Sequence, residues 1–190
     1  MLVQTLIFLI TSLGGLFVLA LLLRFIMQLV RAPRNQLSEL VVALTNFVVL
    51  PLRRFIPSLW RLDLTTLILA WLIEVIQIWL VLALKGYELG PAIGVSLAAL
   101  AALAVVQLAK FAIYIVMAAI VIQAVLSWIN PYSSLAPLLN SVTRPFLRPL
   151  QKRIPLVANV DLSPLVALLI CQLVLMVPLA WLEAALTRFL

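Results

Sequence analysis

The sequence predicts an all-α membrane protein of four transmembrane helices, built as two parallel span–loop–span repeats, each with an interfacial amphipathic helix. Three observations carry this. Of the 190 residues, 66% are hydrophobic and only 10% charged, against about 25% charged in ordinary globular domains. The cations sit in the breaks between apolar runs. And the chain superimposes on itself with a shift of 98 residues and no gap.

The spans follow from length, since about 20 apolar residues cross a bilayer core of about 30 Å. The first is expected over Val3–Val30. No cationic segment precedes it and the first cation is Arg24, an order that reads as an uncleaved span rather than a signal peptide. The second is expected over Leu62–Leu84. A turn at "KGYELGP" (Lys85–Pro91) leads to a long apolar stretch, Ala92–Ile129, interrupted by Lys110 alone. The last span covers about Leu162–Leu182. The long stretch reads as one helix, because a division at Lys110 would put the two basic loops on opposite sides, against the positive-inside rule. The expected location is therefore a bacterial inner (cytoplasmic) membrane, with both basic loops in the cytoplasm and both termini outside.

The first basic loop holds Arg31, Arg34, Arg53, Arg54 and Arg61, and the second Arg144, Arg148, Lys152 and Arg153. The 98-residue shift lays "TNFVVLPLRRFIPSLWRLDLTTL" (Thr45–Leu67) over "TRPFLRPLQKRIPLVANVDLSPL" (Thr143–Leu165), matching Pro51 with Pro149 and Asp63 with Asp161. A gapless register of this kind signals internal duplication, with units over residues 1–86 and 92–187. In each unit an apolar stripe follows the first span: Leu37, Leu40, Val41, Leu44 and Val48, then Leu135, Leu138, Leu139, Val142 and Phe146. These segments are too short to span and read as helices lying in the interface. Ser134 is the expected cap of the second, with Pro137 in its first turn, and Pro51 and Pro149 are expected to end or kink the two. Asp63 and Asp161 fit the N-caps of the returning spans.

At these residues the chain resembles the YggT (YlmG-related) family. The resemblance rests on "SWINPYSSLAPLLNSVTRPFLRPLQKRIP" (Ser127–Pro155), "VDLSPLVALLI" (Val160–Ile170) and "LLLRFIMQ" (Leu21–Gln28). The first copy departs from the pattern, with "NFVVLPLRR" where the second has "RPFLRPLQK". The resemblance implies an integral inner-membrane protein with no assigned catalytic residue, in a family associated with cell division, envelope organisation and osmotic tolerance. Plastid relatives are linked to nucleoid distribution and to haem attachment on a b-type cytochrome.

Composition points the same way. With no histidine and one cysteine, Cys171, the chain lacks the commonest general base and cannot close an internal disulfide or supply ordinary zinc or haem ligation. Neither an enzyme nor a cofactor is expected. The net charge of +7 lies beside apolar segments, so anionic headgroups, rather than nucleic acid, are the expected partners of Arg53, Arg54, Arg144, Arg148, Lys152 and Arg153. A membrane or division protein with an acidic segment is the other expected partner, and a homo-oligomer is compatible with the sequence. Among intramembrane charges, Arg24 either snorkels or pairs with Glu74. Glu74 lies mid-span, and a small transporter or channel using it is the alternative function. Lys110 is expected to anchor near the outer interface. Gly94, Ala98 and Ala102 form a small-residue stripe read as helix packing.

Overall fold

The computed structural model describes residues 1–33, 35–53, 63–86, 93–130, 132–154 and 161–189. Arg34, Arg54, Trp60 and Arg61 lie outside these, as do the Gly-Pro end of the central connection and Pro155. Six helices are present among the described residues: α1 (Leu2–Leu29), α2 (Gln36–Leu52), α3 (Leu64–Leu84), α4 (Ile93–Ile129), α5 (Ala136–Gln151) and α6 (Ser163–Thr187). Four of them, α1, α3, α4 and α6, are long and apolar enough to cross a membrane. The long apolar stretch is one unbroken helix of 37 residues, about 55 Å at 1.5 Å per residue.

Chain chemistry sets the ends. After α1, Arg31 takes a left-handed conformation (φ 51°), and the Ala32 amide bonds back to the Met27 carbonyl at 2.9 Å. This is a Schellman closure with arginine where glycine is usual. Asn35 begins α2 in a reciprocal capping box with Ser38. Gly86 (φ 80°) turns the chain out of α3. Pro137 lies in the first turn of α5, but Ser133 rather than Ser134 receives the Leu135 amide there, at 3.2 Å. Pro51 stands one residue before the end of α2, whereas α5 runs through Pro145 and Pro149 to Gln151. Pro178 lies in a π-helical turn, Leu175–Leu179, inside α6. A proline removes one backbone donor, and a wide turn accommodates the loss.

The main core joins α1, α3 and α4 around Val18, Leu21, Leu22, Leu69, Ala70 and Leu108, and α2 closes it with Val49. The Trp71 indole donates to the Ala101 carbonyl at 3.0 Å, tying α3 to α4. A second core joins α4 to α5 and α6 through Val116, Ile120, Leu147 and Ala167. Thus α4 serves both halves. Val41 of α2, Leu138 of α5 and Met27 of α1 form one small cluster, so the two short helices both pack on the same end of α1.

Packing departs from the expected stripes in places. On α2 the buried face is Val41, Thr45 and Val49, while Leu40 and Leu44 are exposed. On α5 Leu138, Leu139 and Val142 are buried as expected, but Phe146 is not. The close helix approach is at Gly14 and Gly15 rather than at Gly94: a Cβ on Gly14 would collide with Gln77 Oε1, one on Gly15 would touch Phe111, and one on Gly94 would meet nothing.

Candidate functional site

The candidate site grows out of α5. Its buried residues, Leu138, Leu139, Val142, Thr143 and Leu147, recur at three- to four-residue spacing and hold one face against the bundle. Arg144, Arg148 and Lys152 follow one another at four-residue intervals, so they share another face, with Arg153 beside them. These four cations rim a cavity of about 1140 Å³ between α5, α1, α4 and α6. Its floor is apolar, including Ile26 and Val30 of α1, Ile113 and Val116 of α4, and Cys171 of α6. All four cations are exposed. Among the described residues, none of their side chains has an ion pair or a hydrogen bond. Ser141, Pro145 and Pro149 also line the cavity. Because proline has no N–H, the carbonyls of Ser141 and Pro145 lose the helix donor that would come from four residues on.

The first half places its cations differently. Arg24 is only 4% exposed. One guanidinium nitrogen donates to Thr45 Oγ1 at 2.6 Å and to Asn46 Oδ1 at 3.0 Å. The other lies 4.0 Å from Asp63 Oδ2. That carboxylate oxygen also accepts from Arg53, through Nε at 3.0 Å and through Nη2. Gln28 Oε1 accepts the Asp63 amide at 3.2 Å. Arg24 therefore neither snorkels nor meets Glu74. A guanidinium inside the bundle needs counter-charge and acceptors, and α2 and the start of α3 supply them. Asp63 stands at the N-cap of α3, yet its carboxylate serves the two arginines instead of capping a helix amide.

In the second half the corresponding contacts are uncharged or exposed. Gln151, at the position matching Arg53, donates to Asp161 Oδ2 at 2.8 Å, and the Ser163 amide donates to Asp161 Oδ1 at 2.9 Å. Asp161 stands one residue before the N-cap, Leu162, and accepts the first helix amide from there. Partial burial opposes its ionisation, but the hydrogen bonds from Ser163 and Gln151 outweigh that and hold its carboxyl below the ordinary carboxylate value. Thr143 and Thr45, paired by the same shift, are both fully buried and both bond to the carbonyl four residues back. Thr143 also meets Gln123, as Thr45 meets Arg24. These threonines were missed as site residues, although their coincidence under the repeat register was a usable signal.

The remaining sequence-predicted residues are scattered. Glu74 is 3% exposed, and its Oε2 has no hydrogen-bond partner. Gln77 Oε1, one turn on, is likewise unpartnered. Lys110 is not a free anchor: it pairs with Glu183 of α6, which also accepts from Gln107 at 2.9 Å. Glu183 was not foreseen, because near a span's end it reads as an ordinary interfacial charge. Arg54 lies outside the described residues. Among the described residues, no three His, Cys, Asp or Glu side chains gather as a metal ligand set.

Comparison with known proteins now bears on this geometry. The family model described as CCB3/YggT matches residues 3–84 and 102–182. The chain belongs to the CCB3/YggT family. An uncharacterized protein of Pseudomonas aeruginosa is 36% identical over 171 residues, covering 88% of this chain and 85% of that protein. One from Haemophilus influenzae is 32% identical over 170 residues, covering 88% and 87%. The Escherichia coli K12 protein named YggT is 28% identical over 173 residues, covering 90% and 87%. No solved structure matches. For this CCB3/YggT member, the family match spans both the buried Arg24 cluster and the cation-rimmed cavity.

Proposed function

We propose that this protein is a non-catalytic organiser or assembly factor of the bacterial inner membrane, serving envelope organisation, cell division or osmotic tolerance. It works through the basic face of α5, which meets anionic headgroups or the acidic segment of a membrane or division partner. One observation carries this reading: four cations without protein partners rim one apolar cavity, whereas Arg24, Arg53 and Lys110 are committed to internal carboxylates. Each cation near an anionic surface contributes roughly 1 kcal/mol.

The same reading takes residues 1–86 and 92–187 as two parallel units with both termini outside the cytoplasm. It is supported by the two-part family match and by the packing of both α2 and α5 on the same end of α1. The two units have diverged, one closed internally by charge and the other open.

The test uses a strain lacking the gene and challenged by osmotic upshift. Wild type should restore growth. The double variant Arg148→Gln/Lys152→Gln, present at equal level in the membrane, should not. Full restoration by the double variant would overturn the reading. A second reading, a small transporter or channel, is favoured by the unpartnered buried oxygens of Glu74 and Gln77. It predicts ion or proton flux in liposomes that Glu74→Gln abolishes.

A further inference from the structure

We infer that the α5 cavity binds one phospholipid whose headgroup carries two phosphates, with acyl chain lying on the apolar floor. This rests on the anionic-lipid reading above and narrows it. Arg144 and Lys152 are eight residues apart, about 12 Å along the helix. A single phosphate can be gripped by one or two neighbouring cations, since one guanidinium fork already matches two of its oxygens. Four unpaired cations over that length form two stations, Arg144 with Arg148 and Lys152 with Arg153. Among the described residues, no carboxylate lines the cavity to neutralise either.

The floor decides between lipid and protein. It is made by apolar side chains of three membrane-spanning helices, Ile26, Val30, Ile113 and Val116 among them. An extended peptide laid there would leave backbone donors and acceptors without partners in hydrocarbon, whereas an acyl chain has none to satisfy. The volume of about 1140 Å³ exceeds the roughly 300–1,000 Å³ of drug-sized pockets, leaving space for chain as well as headgroup. At the Arg144–Arg148 end of the cavity, the carbonyls of Ser141 and Pro145 lack helix donors and offer acceptors for a headgroup hydroxyl. Basic pockets between spans are a recognised way to hold such headgroups.

The experiment uses the full-length protein, delipidated in neutral detergent, and titrates diphosphatidylglycerol, phosphatidylglycerol and phosphatidylethanolamine. Native mass spectrometry reads stoichiometry and thermal unfolding reads affinity. Joining two phosphates in one molecule raises avidity by about 10²-fold or more when both are engaged. We therefore expect one diphosphatidylglycerol per chain, bound at least about tenfold more tightly than phosphatidylglycerol at equal phosphate. Arg148→Gln/Lys152→Gln should remove that preference, while Arg31→Gln keeps it; none of these side chains has a hydrogen bond to lose. Equal affinity per phosphate would overturn the two-phosphate inference and leave the anionic-lipid reading standing. A preference unchanged in the double variant would place the lipid elsewhere and overturn the site. If neither anionic lipid outcompetes phosphatidylethanolamine, or if only an oligoglutamate peptide binds, the lipid inference falls, and binding of nothing anionic takes the proposed function with it.

Discussion

The paired positions Asp63 and Asp161 provide a sharp test of how the two halves are held. Asp63→Asn keeps the shape of the side chain but leaves Arg24, 4% exposed, without its counter-charge. Breaking a buried ion pair from one side costs about 3–5 kcal/mol. The low end applies here, because Arg24 keeps its bonds to Thr45 and Asn46 and the 44% exposed side chain of Arg53 recovers water. About 3 kcal/mol corresponds to a fall in Tm of about 6–12 °C for a chain of this length. Asp161→Asn should cost no more than about 0.5 kcal/mol, since asparagine caps nearly as well as aspartate and Gln151 carries no charge. Thermal unfolding in detergent, followed by tryptophan fluorescence, measures both. Equal shifts, or a fall below about 2 °C for Asp63→Asn, would refute the buried-charge account. Asp161 adds a pH signature. Its carboxyl is held below its ordinary value in the folded state. The stability it contributes is therefore present above the unfolded carboxylate range and lost as pH falls below about 4. The Asp161→Asn variant should lack that component.

Other perturbations probe the rest of the bundle. Glu74→Gln should cost within about 1 kcal/mol, since Oε2 has no bond to lose. Combined with Arg24→Gln its effect should be additive within about 0.5 kcal/mol, and larger coupling in unfolding titrations would restore a Glu74–Arg24 interaction. Gly14→Ala displaces only the far end of the Gln77 side chain, whose Oε1 has no bond to lose, so the gain in helix propensity should leave Tm unchanged or slightly raised; a fall in Tm that Gln77→Ala relieves would mean that Gln77 cannot give way. Lys110→Met should destabilise the protein more than Lys110→Met combined with Glu183→Gln, because the single change strands a carboxylate between α4 and α6. Proteolysis of the purified variants distinguishes the two outcomes.

The spans were legible because their length is a demand of the bilayer, and the observed helices start or end within a few residues of the expected ones. The α2 face was not. Leu40 and Leu44 fit the helical period as well as Val41 does, yet they point outward. In a membrane the outward side is apolar too, so periodicity identifies an apolar stripe without saying whether protein or lipid covers it. The second cation cluster was legible as a unit, since four-residue spacing converges on one face. The partners of Arg24 were not, because depth along a span says nothing of which neighbour turns toward it. Thr45 and Asn46 come from α2 and Asp63 from the start of α3. Glu183 illustrates the same blindness, its partner lying 73 residues earlier in the chain.

That separation bears on biogenesis. An ionised residue on a lone membrane helix is costly unless it finds a partner, and α4 is synthesised with Lys110 before the carboxylate that pairs with it. The newborn α4 is thus a metastable segment until α6 leaves the ribosome and docks Glu183 against it. A chain stopped after α5 would leave this lysine unmatched and the α6-facing side of α4 bare. The last helix thus supplies the counter-charge for a lysine placed 73 residues earlier in the chain.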